Sequence, residues 1–245
     1  MLRRELITGS AALAIFAGLD RVEAQVRWKG RSRPAGAAAL NLVVHGDSFV
    51  ANVGASPPPI SIGQLCSTQI DNQYDWPNSN TGTALGYSGD GFIYVYLPGS
   101  HNYNFVQDVT PFVVPQLSGS LPNWVVNVND CNDCAIGGQT PAASYSAFQT
   151  YCADLITAGV SASNIVISCA CSRQSFSDAT RATWNALLVG DSGSIGYKVA
   201  RIDQEPLLNT AAAWQNTTYF QSDGIHLTDA GYQLIAGLVA RAMFG

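Results

Sequence analysis

The chain is poor in charge and in histidine. Only 12% of its 245 residues are Asp, Glu, Lys or Arg, the formal net charge is −5, and the three histidines are His45, His101 and His226. A mildly acidic, weakly charged chain lacks the basic footprint of a nucleic-acid binder. None of the histidines lies at ligand spacing from a cysteine pair, which argues against a zinc site, and no cofactor motif is present. Also missing is an uninterrupted apolar run of about 18 residues, the length a membrane-spanning helix needs. The best candidate, Leu6 to Leu19, is broken by Thr8, Gly9 and Ser10. No internal repeat or low-complexity tract stands out.

That short run points to export instead. Arg3 and Arg4 supply a basic start, Leu6 to Leu19 an apolar stretch, and Val22-Glu23-Ala24 small residues at the two positions a signal peptidase inspects. Arg3-Arg4-Glu5-Leu6-Ile7 suits both a twin-arginine and an ordinary secretory signal. The expected organisation is a signal peptide over 1–24, a polar lead-in over 25–37, and one domain over 38–245. About 220 residues are ample for a sizeable core. The mature protein would be periplasmic or secreted, with no membrane partner once the signal is removed.

All six cysteines (Cys66, Cys131, Cys134, Cys152, Cys169, Cys171) follow the signal, and an even count in an exported chain argues for disulfides whose pairing sequence cannot resolve. Cys131-Asn132-Asp133-Cys134 has redox spacing. A redox pair normally opens a helix after a strand, however, and Asn132-Asp133 with Gly137-Gly138 suggests a loop.

Leu42, Val43 and Val44 form an apolar run of the kind found in strands covered on both faces, and Gly46-Asp47-Ser48 ends it. Ser48 then emerges at the carboxyl end of a buried strand, where open α/β sheets place their chemistry. The same tripeptide recurs at Gly190-Asp191-Ser192, but after an amphipathic run, and is expected to be a helix stop and loop. Further expected strands are Phe92–Leu97, as an extra strand or hairpin beside the main sheet, then 124–128, 164–169 and 197–202. Expected helices are Ile60–Ile70, 106–117, 142–158, 177–189 and 228–244, with Pro111 and Pro115 weakening the second. Strands alternating with helices at this spacing indicate an α/β sandwich with a mostly parallel sheet.

Near the C-terminus, Asp223-Gly224-Ile225-His226 places an acid and an imidazole on one short turn, where the carboxylate can fix the ring's tautomer. Thr228 is the better cap for the following helix, which leaves Asp223 and His226 unexplained by capping. Two stretches could stabilise negative charge on oxygen: the amide of Asn129, after an apolar strand, and the glycine-rich loop Gly86-Tyr87-Ser88-Gly89-Asp90-Gly91.

Taken together, Gly46-Asp47-Ser48, Gly89, Asn129-Asp130 and Asp223-Gly224-Ile225-His226 resemble, in order and approximate spacing, the four blocks of the SGNH hydrolases, also called the GDSL esterase and lipase family. The resemblance implies a three-layer α/β/α sandwich around five parallel strands. By it, Ser48 is the nucleophile, His226 the general base and Asp223 the residue that orients His226. The oxyanion hole comprises the N–H of Ser48, the N–H of Gly89 and the side-chain amide of Asn129. Gly82 or Gly86 could stand for Gly89, and Asn132 is a rival for Asn129. The third block usually runs Gly-x-Asn-Asp, whereas this chain has Asn127 at the glycine position.

The expected activity is hydrolysis of a small-molecule or polysaccharide ester through an acyl-enzyme, with short-chain or O-acetyl esters of carbohydrate as the substrate class. Trp76, Tyr87, Tyr94, Tyr96 and Tyr103 cluster around the second block and suit a sugar, although core packing accounts for them too. The alternatives are a lipase or thioesterase of the same family, a catalytically silent carbohydrate-binding relative, and a thiol oxidoreductase acting through Cys131 and Cys134.

Overall fold

The computed structural model describes residues 40–51, 81–83, 91–96, 105–107, 109–129 and 131–245. The expected signal peptide, the helix over Ile60–Ile70, Cys66 and Gly89 lie outside them.

The apolar run at Leu42–Val44 forms the middle of β1 (Asn41–Gly46), every residue of which is buried. It is covered on both faces because side chains alternate across a strand. Leu42 and Val44 belong to one apolar cluster, and Val43 to the other. β1 pairs in parallel with β3 (Gly91–Tyr96) on one side and β4 (Asn123–Val128) on the other. Beyond β4 the sheet continues in parallel through β5 (Ile165–Ser168) and β6 (Lys198–Ala200). The short β2 (Thr81–Thr83) pairs antiparallel with β3, giving the order β2-β3-β1-β4-β5-β6. Among the described residues the sheet therefore has the five expected parallel strands and, in addition, an antiparallel edge strand. The Phe92–Leu97 run is not beside the main sheet but within it, next to β1.

The helices, in chain order, are α1 (Ser48–Ala51), α2 (Asn132–Ala135), α3 (Pro141–Thr157), α4 (Asp178–Ile195), α5 (Pro206–Asn209) and α6 (Asp229–Phe244). On one face Tyr145, Phe148 and Leu155 of α3 and Trp184 and Leu188 of α4 pack on Val43, Val125, Ile165 and Ile167. On the other, Tyr232, Ile235 and Val239 of α6 pack on Leu42, Val44, Val126 and Val166. The result is the anticipated α/β/α sandwich. Thr140 caps α3 by accepting the Ala143 N–H at 3.2 Å, with Pro141 opening the helix where no N–H is needed.

Three local expectations change. Gly190-Asp191-Ser192 is helical: α4 runs on to Ile195 and stops at Gly196, whose φ of 92° suits glycine. Tertiary bonds hold that last turn, since Asp191 accepts from the Tyr145 hydroxyl at 2.9 Å and the Gln149 amide at 3.0 Å. The expected helix over 106–117 includes a π-helical turn, Val109–Val113, and a 3-10 turn, Val114–Gln116. Pro111 and Pro115 lack the N–H groups that a regular ladder would use. No disulfide is present among the described residues, which include Cys131, Cys134, Cys152, Cys169 and Cys171. Burial in the core pushes the Cys152 thiol up to about 12.

Gly231, in the first turn of α6, lets that helix approach the segment before it. A Cβ there would lie 2.3 Å from the Tyr219 backbone oxygen and 3.0 Å from the Leu227 Cβ. Backbone cannot yield as a flexible side chain does, so Gly231→Ala is expected to cost about 1–3 kcal/mol, the usual range for overpacking. Urea unfolding of the variant measures this; an unchanged midpoint would remove the role assigned to the close approach.

Candidate active site

Ser48 lies far in the chain from Asp223 and His226, and the three meet at the carboxyl edge of the sheet. β1 delivers Gly46 to that edge, Asp47 turns the chain, and Ser48 opens α1 half-buried. The turn is fixed locally: Asp47 Oδ1 accepts the Phe49 N–H at 2.9 Å, the bond that makes Asp a turn former. Phe49 is buried, with its ring 6.1 Å from that of His226 and 6.3 Å from that of Tyr232. The Ser48 turn is thereby packed against both the imidazole and α6.

The 219–228 segment carries the other two groups. An antiparallel bridge between Phe220 and Leu227 closes its base, and Gln221 donates from its backbone to His226 O at 2.8 Å and from its side chain to Leu227 O at 2.7 Å. Inside this loop Asp223 Oδ1 accepts the N–H groups of Ile225 and His226 at 2.9 and 3.0 Å. Gly224 has a φ of 64°, and a Cβ there would meet the Trp214 ring at 2.8 Å, so glycine is required for the chain to pass.

His226 Nδ1 lies 2.6 Å from Asp223 Oδ2, and Nε2 lies 3.0 Å from Ser48 Oγ. Burial raises the Asp223 carboxyl, but bonds from the His226 ring and from the two backbone N–H groups, with the attraction of His226, outweigh it. The net shift is downward. An ionised carboxylate only accepts, so Nδ1 carries the ring hydrogen and Nε2 presents a lone pair to the Ser48 hydroxyl. This arrangement can take a proton from Ser48 as its oxygen attacks an electrophile.

Asn129 leaves β4 one residue past Val128, which pairs with Gly46 in the neighbouring β1. It therefore emerges beside the Ser48 turn, and it is buried. Its Oδ1 accepts the Cys131 N–H at 3.0 Å, and its Nδ2 donates to Asn127 Oδ1 at 2.5 Å, which leaves one amide hydrogen for another acceptor. The rival Asn132 is occupied differently. Its Nδ2 donates to Asp47 Oδ2 at 3.2 Å and its Oδ1 accepts from Arg173 Nη1 at 3.1 Å. A buried polar chain from Arg173 through Asn132 to Asp47 thus braces the Ser48 turn. Such groups are tolerated inside only when hydrogen-bonded.

Asp47, Asn127 and Arg173 were not anticipated as supports of the site, and Asn132, expected as a rival oxyanion donor, braces the Ser48 turn instead; the one sequence signal was polar residues flanking otherwise apolar strand ends. Cys131-Asn132-Asp133-Cys134 is not the expected loop: Cys131 precedes α2, and Cys134 lies within it. The Cys131 thiol meets the Ser144 hydroxyl at 3.7 Å. Burial, then the neighbouring Cys134 thiol, pushes the Cys131 thiol up, whereas the Cys131 neighbour lowers Cys134 against its own partial burial. His45 is a core residue that meets the Tyr151 hydroxyl at 3.1 Å, and His101 lies outside the described residues.

No family model and no curated protein matches the sequence. Solved structures do match in shape. A lipase/acylhydrolase from Enterococcus faecalis superposes with a TM-score of 0.61 at 14% identity, covering 82% of this chain and 94% of that one. AlinE4, an SGNH-hydrolase family esterase, gives 0.55 at 15% identity over 85% and 96% of the two chains. An acetyl esterase mutant holding an acetate ion gives 0.55 at 16% identity over 82% and 95%. At such identities the likeness speaks for architecture, and it spans nearly the whole of each relative. The chain has the SGNH-hydrolase fold.

Proposed function

We propose that the protein is an exported serine esterase that hydrolyses short-chain or O-acetyl esters of carbohydrate through an acyl-enzyme. The observation that carries the reading is the unbroken Asp223–His226–Ser48 hydrogen-bond chain, at 2.6 and 3.0 Å. In the proposed reaction, Ser48 Oγ attacks the ester carbonyl carbon while His226 Nε2 takes its proton. The carbonyl electron pair moves onto oxygen, where the Ser48 N–H, the remaining Asn129 amide hydrogen and, as the family resemblance implies, the Gly89 N–H stabilise it. Collapse of this adduct breaks the bond to the alcohol, which leaves with the proton from His226. Water then repeats the sequence on the acyl-enzyme and restores Ser48. Asp223 stays ionised throughout, stabilising the imidazolium.

An acetyl esterase with acetate bound is among the proteins of this shape. That likeness, with the aromatic residues around the second block, supports the acetyl and carbohydrate parts of the reading. The test is a panel of nitrophenyl esters of increasing acyl length together with acetylated sugars, assayed on the protein and on Ser48→Ala. Preference for acetyl donors, lost in the variant, supports the proposal. Preference for long acyl chains would turn it toward a lipase or thioesterase, and no turnover toward a silent binder. Export rests on the basic start and apolar run of 1–24. Protein recovered from outside the cytoplasm is expected to begin at Gln25, and N-terminal sequencing that finds Met1 retained there would refute cleavage.

A further inference from the structure

Asn127 stands where the family resemblance places glycine, and it is completely buried in β4 between Val126 and Val128. A primary amide in such a place is costly unless its polar atoms are bonded. Its only bond among the described residues is the one its Oδ1 accepts from Asn129 Nδ2; its own Nδ2 has no partner. The one side-chain hydrogen-bond partner of this misfit residue among the described residues is thus the group expected to face the oxyanion.

The direction of that contact is settled by chemistry. A backbone N–H can only donate, so the Asn129 atom that Cys131 N–H meets at 3.0 Å must be oxygen. The nitrogen of the same amide then faces Asn127, which must present its own oxygen. Cys131 reaches this position with a φ of 53°, the one positive φ at a non-glycine among the described residues, a conformation that costs about 1–2 kcal/mol. The Asn129 amide is therefore gripped at both ends, its plane is fixed, and one N–H is left pointing in a set direction.

We propose that Asn127 is a positioning residue for ester hydrolysis: by accepting one N–H of the Asn129 amide it aims the other at the developing oxyanion. The inference rests on the oxyanion role given to Asn129 above. Without the acceptor, the amide's terminal torsion, a broad two-fold rotor, is held at one end only. A misplacement of about 1 Å at a reacting group is worth up to about a hundredfold in rate. Because the interaction matters where charge develops, the loss falls on kcat and leaves KM nearly unchanged.

The experiment is a double-mutant cycle on the full chain with a nitrophenyl acetate, reading kcat and KM, with thermal melts of each variant. Asn129→Ala is expected to lower kcat by about a hundred- to a thousandfold, as for other side-chain oxyanion donors. Asn127→Ala is expected to lower kcat about ten- to a hundredfold, and to add less than about twofold in the Asn129→Ala background, where there is no amide left to aim. Asn127→Ser, whose hydroxyl stops short of Asn129, serves the same cycle if the alanine variant does not fold. Near-normal kcat in the Asn127 variants with a slow Asn129→Ala would overturn the positioning role alone. Losses that multiply in the double variant would also overturn it, since Asn127 would then act elsewhere. A fully active Asn129→Ala would overturn the oxyanion assignment, and this inference with it.

Discussion

Ser48→Ala is expected to lower ester turnover by about a million-fold, the scale seen when a triad serine is removed while its partners remain. The hydroxyl is the only atom of the proposed site that forms a bond to the substrate, so nothing else in the turn can replace it. Folding should be nearly untouched. Ser48 is half-buried, its side chain bonds among the described residues only to His226, and the turn is held by Asp47 and the packing of Phe49. Residual rates from the oxyanion donors acting on a water molecule set the floor. The comparison is kcat for a nitrophenyl acetate beside a melting curve. A variant that melts normally and retains a tenth of the activity would place the nucleophile elsewhere.

Asp223→Asn should be the next most damaging change, at about ten-thousandfold in kcat. The amide oxygen can still accept the Ile225 and His226 N–H groups that now bond Asp223 Oδ1 at 2.9 and 3.0 Å, so the loop is expected to keep its shape. The amide nitrogen, however, would donate to His226 Nδ1. That forces the ring hydrogen onto Nε2, where it points at Ser48 and blocks proton transfer. The wild-type carboxyl is held below the ordinary carboxylate range. Its stabilising bonds are therefore complete above the unfolded-state value and are lost as pH falls through the lowered one. A variant within tenfold of wild type would mean that His226 is oriented by something other than this carboxylate.

The main lines of the fold and the residues of the proposed triad could be picked out in the sequence because their signals are local. Leu42–Val44 followed by Gly46-Asp47-Ser48 places a strand end and the proposed nucleophile within one short stretch, and Asp223 and His226 share one turn. What escaped depends on partners distant in sequence. Gly190-Asp191-Ser192 has the composition of a loop, yet Tyr145 and Gln149, on a different helix, hold it in α4. The buried chain joining Arg173, Asn132 and Asp47 links three segments distant in sequence that only the folded sheet brings together. Asn127 appeared merely as a departure from a pattern, and its meaning emerges only when the Asn129 amide is seen to need an acceptor. The cysteine count led to an expected disulfide framework, whereas the described cysteines form no disulfide, with Cys152 buried on α3 and Cys169 just past the end of β5.

The central claim is that the Ser48 hydroxyl is an activated nucleophile, and covalent capture tests it most directly. Wild-type protein treated with a fluorophosphonate should gain one phosphonyl group, located by peptide mass spectrometry on Ser48. Labelling should slow sharply in His226→Ala, since the reagent needs the same proton acceptor as an ester. Labelling on a different residue, or at an equal rate without the imidazole, would contradict the account.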